Sequence, residues 1–203
     1  MLKMRLFSLL STLVMVLGFA EVSFADRRSY VWTYEYQTMP KGMWELEYYF
    51  TTEIPNIHHS NVNTLKPWVE LEYGITNNWD VSMYQMYKFQ NRKTDDGARY
   101  DGFKIRTRYR FGKKGQFLVD PLIYLEYIRE PDLHKPNIIE LKLVLAKDIG
   151  DFNLSYNQIA KRNLEKGKTE NEYASGLSYR FSPFFSFGLE SKGNYSKDKF
   201  GLG

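Results

Sequence analysis

A strict alternation of apolar and cationic residues in the middle of the chain limits its fold more than any other feature. From Phe103 to Phe111 every second residue is aromatic, aliphatic or threonine, and the residues between them are four cations: Lys104, Arg106, Arg108 and Arg110. Side chains in a β-strand point alternately to the two faces of a sheet, so this pattern predicts a strand with one apolar and one cationic face. Such a strand needs an apolar solvent on one side and water or an ion network on the other.

The residues that follow predict a hairpin with the same division of faces. After a GKKGQ turn, the next segment places six residues on its apolar face: Phe117, Val119, Pro121, Ile123, Leu125 and Tyr127. Asp120 and Glu126 fall on the opposite face. With the turn centred near Lys114, we expect Arg108 to lie opposite Asp120, which would be a favourable cross-strand pair.

From Met43 onward, segments with this alternation recur at regular spacing, and short turns alternate with longer polar loops. The short turns are at 74–78, 112–116, 148–151 and 182–183, and the longer loops are at 53–63, 91–99, 129–136, 162–171 and 192–199. Outer-membrane barrels have this asymmetry, with short turns on the periplasmic side and longer loops outside. The pattern therefore predicts an all-β, antiparallel, up-and-down transmembrane β-barrel.

The N-terminus has the layout of a secretory signal peptide. Lys3 and Arg5 form a basic start, residues 6–20 are almost entirely apolar, and small residues precede a cleavage point after Ala25. The apolar run is shorter than the roughly 20 residues that a membrane helix needs. We therefore assign residues 1–25 to a cleaved signal peptide and residues 26–203 to one barrel domain.

The two ends of that domain fit the pattern less simply. Residues 26–42 hold a short aromatic run, and the loop asymmetry makes them a periplasmic or luminal segment rather than a spanning strand. Nine strands follow from Met43, and a tenth only begins at Phe200. Because bacterial single-chain barrels use even strand numbers, we expect about 10–12 strands. Either the chain is truncated at its C-terminus, or residues 30–37 close the barrel.

Composition agrees with an exported membrane barrel. Aromatic residues make up 17% of the chain and cluster next to the predicted turns and loops, as in the aromatic girdles of membrane barrels. A soluble sandwich or lipocalin-like barrel would instead spread them along its core. We favour the outer membrane of a Gram-negative bacterium, with membrane lipid as the partner. The cations behind the formal charge of +4 alternate along strands, so no nucleic-acid partner is expected, and the chain has no cysteine.

Three stretches resemble a bacterial family of proposed outer-membrane transporters named after a phenol-degradation pathway. They are Tyr73-Gly74-Ile75-Thr76-Asn77-Asn78-Trp79-Asp80-Val81, Pro40-Lys41-Gly42-Met43-Trp44-Glu45-Leu46-Glu47, and the strand from Asp120-Pro121 to Glu126-Tyr127. The resemblance spans most of residues 26–203. It implies an outer-membrane barrel of 10 to 12 strands with a transport role, and it brings no catalytic or ligand-binding residues.

Charged residues of both signs alternate with the apolar face and are expected to line the lumen. The predicted lining residues are Glu45, Glu47, Glu70, Glu72, Lys104, Arg106, Arg108, Arg110, Asp120, Glu126, Glu140 and Lys142. The cations alone could form an anion-selective strip, as charged rings do in pores. Their near balance with carboxylates favours a packed ionic interior instead, since unpaired charges in a narrow lumen are costly.

No enzyme is predicted, and no cofactor or metal. A membrane-embedded lipid hydrolase would need a Ser-His pair, and the adjacent His59 and Ser60 are a weak candidate. His58, His59 and His134 lack a fixed metal-ligand spacing, and Asp95-Asp96-Gly97 lacks the alternating ligands of a calcium loop. The leading hypothesis is passive passage of small solutes. The alternatives are a structural or recognition barrel with a plugged, ion-paired lumen and, less favoured, a lipid hydrolase.

Overall fold

The structure of the protein is a computed structural model, which describes residues 28–56, 58, 63–91 and 97–202. These residues form ten strands: β1 (Trp44–Glu53), β2 (Asn63–Thr76), β3 (Trp79–Asn91), β4 (Gly97–Arg110), β5 (Asp120–Arg129), β6 (Ile138–Ile149), β7 (Phe152–Asn163), β8 (Thr169–Ser182), β9 (Phe185–Asn194) and β10 (Lys199–Leu202). In this part of the chain no helix is long and apolar enough to cross a membrane. The predicted signal peptide lies outside the described residues.

All ten strands belong to one sheet in which each strand pairs antiparallel with the next along the chain. The prediction of an all-β, antiparallel, up-and-down fold is therefore confirmed, with ten strands. The sheet is not closed, because the described residues of β1 and β10 do not pair with each other.

The sheet curls around a concave face, and the alternation in the sequence decides which side chains point into it. On β5, Leu122, Tyr124 and Glu126 are buried, whereas Ile123 and Leu125 between them are exposed on the convex face. This follows from the period of two in a strand. The convex face is mainly aliphatic and aromatic, and the concave face is mainly charged or polar.

The segment 28–42 lies inside the curl and adds no strand to the sheet. Tyr36 packs in the buried cluster with Leu122, Tyr124, Val144 and Ala146, and Tyr34 packs against it. The segment reaches both halves of the sheet at once, since it contacts β1 through Arg28 and β9 through Trp32. It therefore fills part of the interior rather than closing the sheet.

The connections are short at one end of the sheet and longer at the other, with one exception. Only two residues join β2 to β3, β6 to β7 and β8 to β9. The connection from β4 to β5 is also at the short end, but it spans residues 111–119, so the predicted GKKGQ turn is too short and β5 begins at Asp120. The Asp120 carboxylate accepts N–H groups from Gly115 at 2.7 Å and Phe117 at 3.4 Å, which stabilises the wider turn.

This wider turn also changes the predicted register. Arg108 lies opposite Tyr124, not opposite Asp120. Its carboxylate partner is Asp80, directly opposite on the other neighbouring strand, β3. The prediction of an Arg108–Asp120 pair is wrong because the turn is longer than predicted, and the Asp120 carboxylate accepts N–H groups of that turn instead of pairing with Arg108.

Candidate functional site in the sheet interior

A ladder of five alternating charges crosses the interior from β2 to β4. Arg106 pairs with Glu70 at 2.7 Å and with Glu72, and Arg108 pairs with Glu72 and with Asp80 at 2.7 Å. Each arginine therefore bridges two carboxylates. Arg106 also donates to the Tyr84 hydroxyl.

The sequence builds this ladder by placing a small residue between two long ones. Ser82 on β3 lies opposite Glu72 on β2 and opposite Arg106 on β4. Because the serine is short, the arginine can reach across β3 to the carboxylate on the far strand. Arg106 and Glu70 are fully buried, and buried charges persist only when they are paired and hydrogen-bonded.

A second ionic cluster occupies the other half of the interior, near the longer connections. Glu140 accepts from Lys142 at 2.7 Å and pairs with Lys161 at 3.2 Å, and Lys161 also pairs with Glu172 at 2.7 Å. Lys104 pairs with Glu126 at 3.1 Å. These contacts pair three lysines with three carboxylates.

The twelve predicted lining residues all belong to the concave side of the sheet. Nine are buried: Glu45, Glu70, Glu72, Arg106, Arg108, Asp120, Glu126, Glu140 and Lys142. Glu47, Lys104 and Arg110 are half-buried. The alternating cations Lys104, Arg106, Arg108 and Arg110 do not form an open strip. The first three of them pair with carboxylates, and Arg110 donates to the carbonyl of Asn77 at 2.7 Å.

The segment 28–42 is held in the interior by hydrogen bonds from side chains of the sheet to its backbone. The Asn157 amide accepts the N–H of Tyr34 at 2.6 Å and donates to its carbonyl at 2.9 Å. Glu190 accepts the N–H of Trp32 at 2.9 Å, and Asp80 accepts the N–H of Met39 at 2.9 Å. The sheet thus supplies the backbone of this segment with partners that a neighbouring strand would otherwise provide.

The aromatic side chains of the segment 28–42 are also held by contacts with the sheet. The Tyr30 hydroxyl donates to Asn153 on β7 at 2.8 Å, and burial raises its pKa to about 12, so it remains a donor at neutral pH. The Tyr34 ring lies 4.8 Å from the Tyr124 ring, and the ammonium group of Lys142 lies 4.3 Å and 4.1 Å from the two ring centres. Cation–π contacts of this kind are favourable, and more so away from water.

Two glycines make room for the segment. A Cβ atom on Gly176 of β8 would overlap the ring of Tyr30, and one on Gly74 of β2 would overlap the carbonyl oxygen of Pro40. Both glycines have ordinary φ angles, so space rather than backbone conformation requires them. The concave surface is therefore shaped to fit the segment.

The alternation in the sequence does not predict the part of the concave face that holds the segment 28–42. Its residues on β7, Asn153, Ser155 and Asn157, are polar but uncharged, whereas inward positions on most other strands carry charges. Two features of the sequence could have indicated this surface. One is the uncharged polar run on β7, and the other is the aromatic N-terminal run that has no strand partner.

The residues considered for catalysis or metal binding do not assemble into a site in the described part of the chain. His58 and His134 are exposed, and no group of three potential metal ligands occurs among the described residues. His59, Ser60, Asp95 and Asp96 lie outside the described residues.

Comparison of the chain with protein-family models, with curated proteins and with solved structures found no match. The resemblance to a transporter family therefore stays a prediction.

Proposed function

We propose that this chain is an integral outer-membrane protein whose sheet crosses the bilayer. The observation that supports this is the division of the two faces of the sheet, which is clearest on β5, β6 and β7, where buried and exposed residues alternate. Leu46 on β1 is 72% exposed and Leu189 on β9 is 61% exposed on the convex face, whereas Arg106 on the concave face is 0% exposed. An apolar face this continuous exceeds the isolated exposed residues of ordinary soluble proteins, and it suits contact with lipid.

In a bilayer the outer edges of β1 and β10 would also need hydrogen-bond partners, because lipid offers none. Strands of this sheet alternate in direction, so the first and the tenth run antiparallel. That relative direction is the one in which the two ends of an up-and-down barrel pair. The strand order is therefore compatible with closure.

We further propose that the barrel allows passive passage of small solutes and that the segment 28–42 closes it. In this arrangement the segment and the ion ladder fill the interior near the short turns, while two cavities of about 540 and 370 Å³ lie near the longer connections. A solute entering from that end would meet the segment. Passage would require the segment to leave the Asn157 amide.

A disulfide lock tests this proposal. The chain has no cysteine of its own, so Tyr34→Cys together with Asn157→Cys gives a protein with a single pair that can be oxidised or reduced. In the reduced form the hydrogen bonds between the Asn157 amide and the segment are lost, so we expect single-channel conductance in planar bilayers. In the oxidised form the disulfide holds the segment, so we expect no conductance. The same molecules in two redox states are the matched control.

The ion ladder favours a second candidate, a structural or recognition barrel with no cargo. Arg106 and Arg108 join three carboxylates and would hold the interior rigid. If the wild type and both redox states of the double-cysteine protein insert into the bilayer but show no conductance, passage is refuted and this second candidate remains. Recovery of the chain in the soluble periplasmic fraction, with no heat-dependent shift on a gel, would refute the membrane barrel itself.

A further inference from the structure

We infer that the larger of the two cavities near the longer connections binds small organic carboxylates. The inference rests on the proposed passage function, because it names the class of solute that the same interior would admit. The cavity has a volume of about 540 Å³ and lies on the concave side of β6 to β10, near the longer connections. This volume falls within the roughly 300–1,000 Å³ of ordinary small-molecule pockets.

The charges around the cavity leave an excess of cations. Four lysines line it, Lys142, Lys161, Lys192 and Lys199, against two carboxylates, those of Glu140 and Glu172. Glu140 is shared by Lys142 and Lys161. Glu172 accepts from Lys161 at 2.7 Å and from the side-chain amide of Asn194 at 2.8 Å. Both carboxylates are thus already satisfied by protein donors.

Of the four lysines that line the cavity, Lys142 and Lys161 pair with carboxylates, which leaves Lys192 and Lys199. Neither forms an ion pair with a carboxylate among the described residues, and both are exposed to the cavity solvent. The ammonium group of Lys192 lies 3.6 Å from the centre of the Trp32 ring, a contact that holds the cation near the cavity without neutralising it. A carboxylate placed beside these two ammonium groups would gain charge-assisted hydrogen bonds.

The second cavity, of about 370 Å³, differs in charge and so serves as an internal comparison. Its lysines all have carboxylate partners: Lys66 pairs with Glu53, Lys88 with Asp101, and Lys104 with Glu126. An anion entering there would have to displace an existing ion pair. The unpaired cations therefore distinguish the larger cavity.

The larger cavity also has apolar walls, which favours an organic anion over an inorganic one. Ile159 and Ala174 are buried in its floor, and Val31 and Trp32 of the N-terminal segment form another side. A short hydrocarbon body can cover this surface while its carboxylate reaches Lys192 and Lys199. A bare inorganic anion would leave the apolar surface without a partner.

The test uses the folded protein in detergent micelles with ¹³C-labelled isoleucine methyl groups. Ile159 lines the larger cavity and Ile128 lines the smaller one, so each reports on its own cavity. The probes are hexanoate, hexylammonium and inorganic phosphate. We expect hexanoate to shift the Ile159 resonance in a saturable manner and to leave Ile128 in place, and we expect much weaker shifts from hexylammonium and phosphate.

Substitution of the two unpaired cations completes the test. Lys192→Gln with Lys199→Gln should weaken hexanoate binding by about tenfold or more, and the matched Lys66→Gln with Lys88→Gln in the smaller cavity should leave it unchanged. No saturable shift of Ile159, equal shifts with hexylammonium or phosphate, or equal binding by both double variants would overturn the inference. Because binding is measured in micelles, its failure is distinct from a failure of membrane insertion or conductance.

Discussion

The side-chain amide of Asn157 forms two hydrogen bonds with the backbone of Tyr34, accepting its N–H at 2.6 Å and donating to its carbonyl at 2.9 Å. One side chain thereby takes the place of a neighbouring strand for one residue of the N-terminal segment. Asn157 is fully buried, so water cannot replace these bonds. The pair is therefore one of the buried contacts that hold the segment in position.

Replacing Asn157 with leucine, which has a similar size, should lower stability. The substitution leaves the N–H and carbonyl of Tyr34 buried without partners, which costs about 1–3 kcal/mol in the free energy of unfolding. Urea unfolding in micelles measures this cost. Asn171→Leu is the control, because Asn171 is exposed, and it should change stability by less than about 0.5 kcal/mol. Equal losses from the two variants would contradict a role for the Asn157–Tyr34 pair.

The faces of the strands could be predicted from the sequence because the alternation has a period of two and the two faces meet different surroundings. The alternation places Arg106 and Glu126 in the interior, and both are buried. The register between β4 and β5 could not be predicted in this way. It depends on the length of the turn, and the Asp120 carboxylate sets that length through contacts with the backbone of the turn.

The packing of the N-terminal segment could not be predicted for a different reason. Its contacts join residues far apart in sequence, such as Tyr30 with Asn153, and no local pattern links them. The space for Tyr30 is provided by the missing side chain of Gly176, which in the sequence looks like an ordinary glycine in a strand. Complementarity between two distant surfaces carries no periodic signal.

Adding a side chain at Gly176 should displace the segment. Gly176→Val places methyl groups where the Tyr30 ring lies, and overpacking of this kind costs about 1–3 kcal/mol. We expect faster chymotrypsin cleavage within residues 28–42 of the folded protein. Gly201→Ala is the control, since nothing lies within 4 Å of its added Cβ. Cleavage at the wild-type rate in Gly176→Val would show that the segment does not need this space.

Breaking the ion ladder should destabilise the protein more than breaking an exposed ion pair. Arg106→Met leaves the carboxylates of Glu70 and Glu72 without their shared partner, which costs about 3–5 kcal/mol for a buried pair. Lys66→Met removes an accessible partner of Glu53 and should cost less than about 1 kcal/mol. Unfolding midpoints in urea compare the two. A smaller loss for Arg106→Met would mean that water enters the interior and solvates the ladder.

The hydrogen bond that joins the β5–β6 connection to the β7–β8 connection should depend on pH. The Glu165 carboxylate accepts the backbone N–H of Asn137 at 2.8 Å, and this hydrogen bond lowers the pKa of Glu165 below its ordinary value. A lowered pKa means that the contact is complete above the ordinary pKa and is lost as the pH falls through the lowered one. Amide exchange at Asn137 should therefore accelerate only in acid. In Glu165→Gln that acid dependence should disappear; its persistence would assign it to another group.

The effect on stability of introducing a cation on the convex face shows whether that face meets lipid or water. Leu143 lies in the middle of β6 and is exposed on that face. If the sheet crosses a bilayer, Leu143→Arg puts a charge near its midplane and should cost about 2–4 kcal/mol in lipid vesicles. Leu133→Arg, in the connection between β5 and β6, keeps its charge in water and should change stability by less than about 0.5 kcal/mol. Unfolding by urea in vesicles measures both variants, and equal stability would place the convex face in water and refute the membrane assignment.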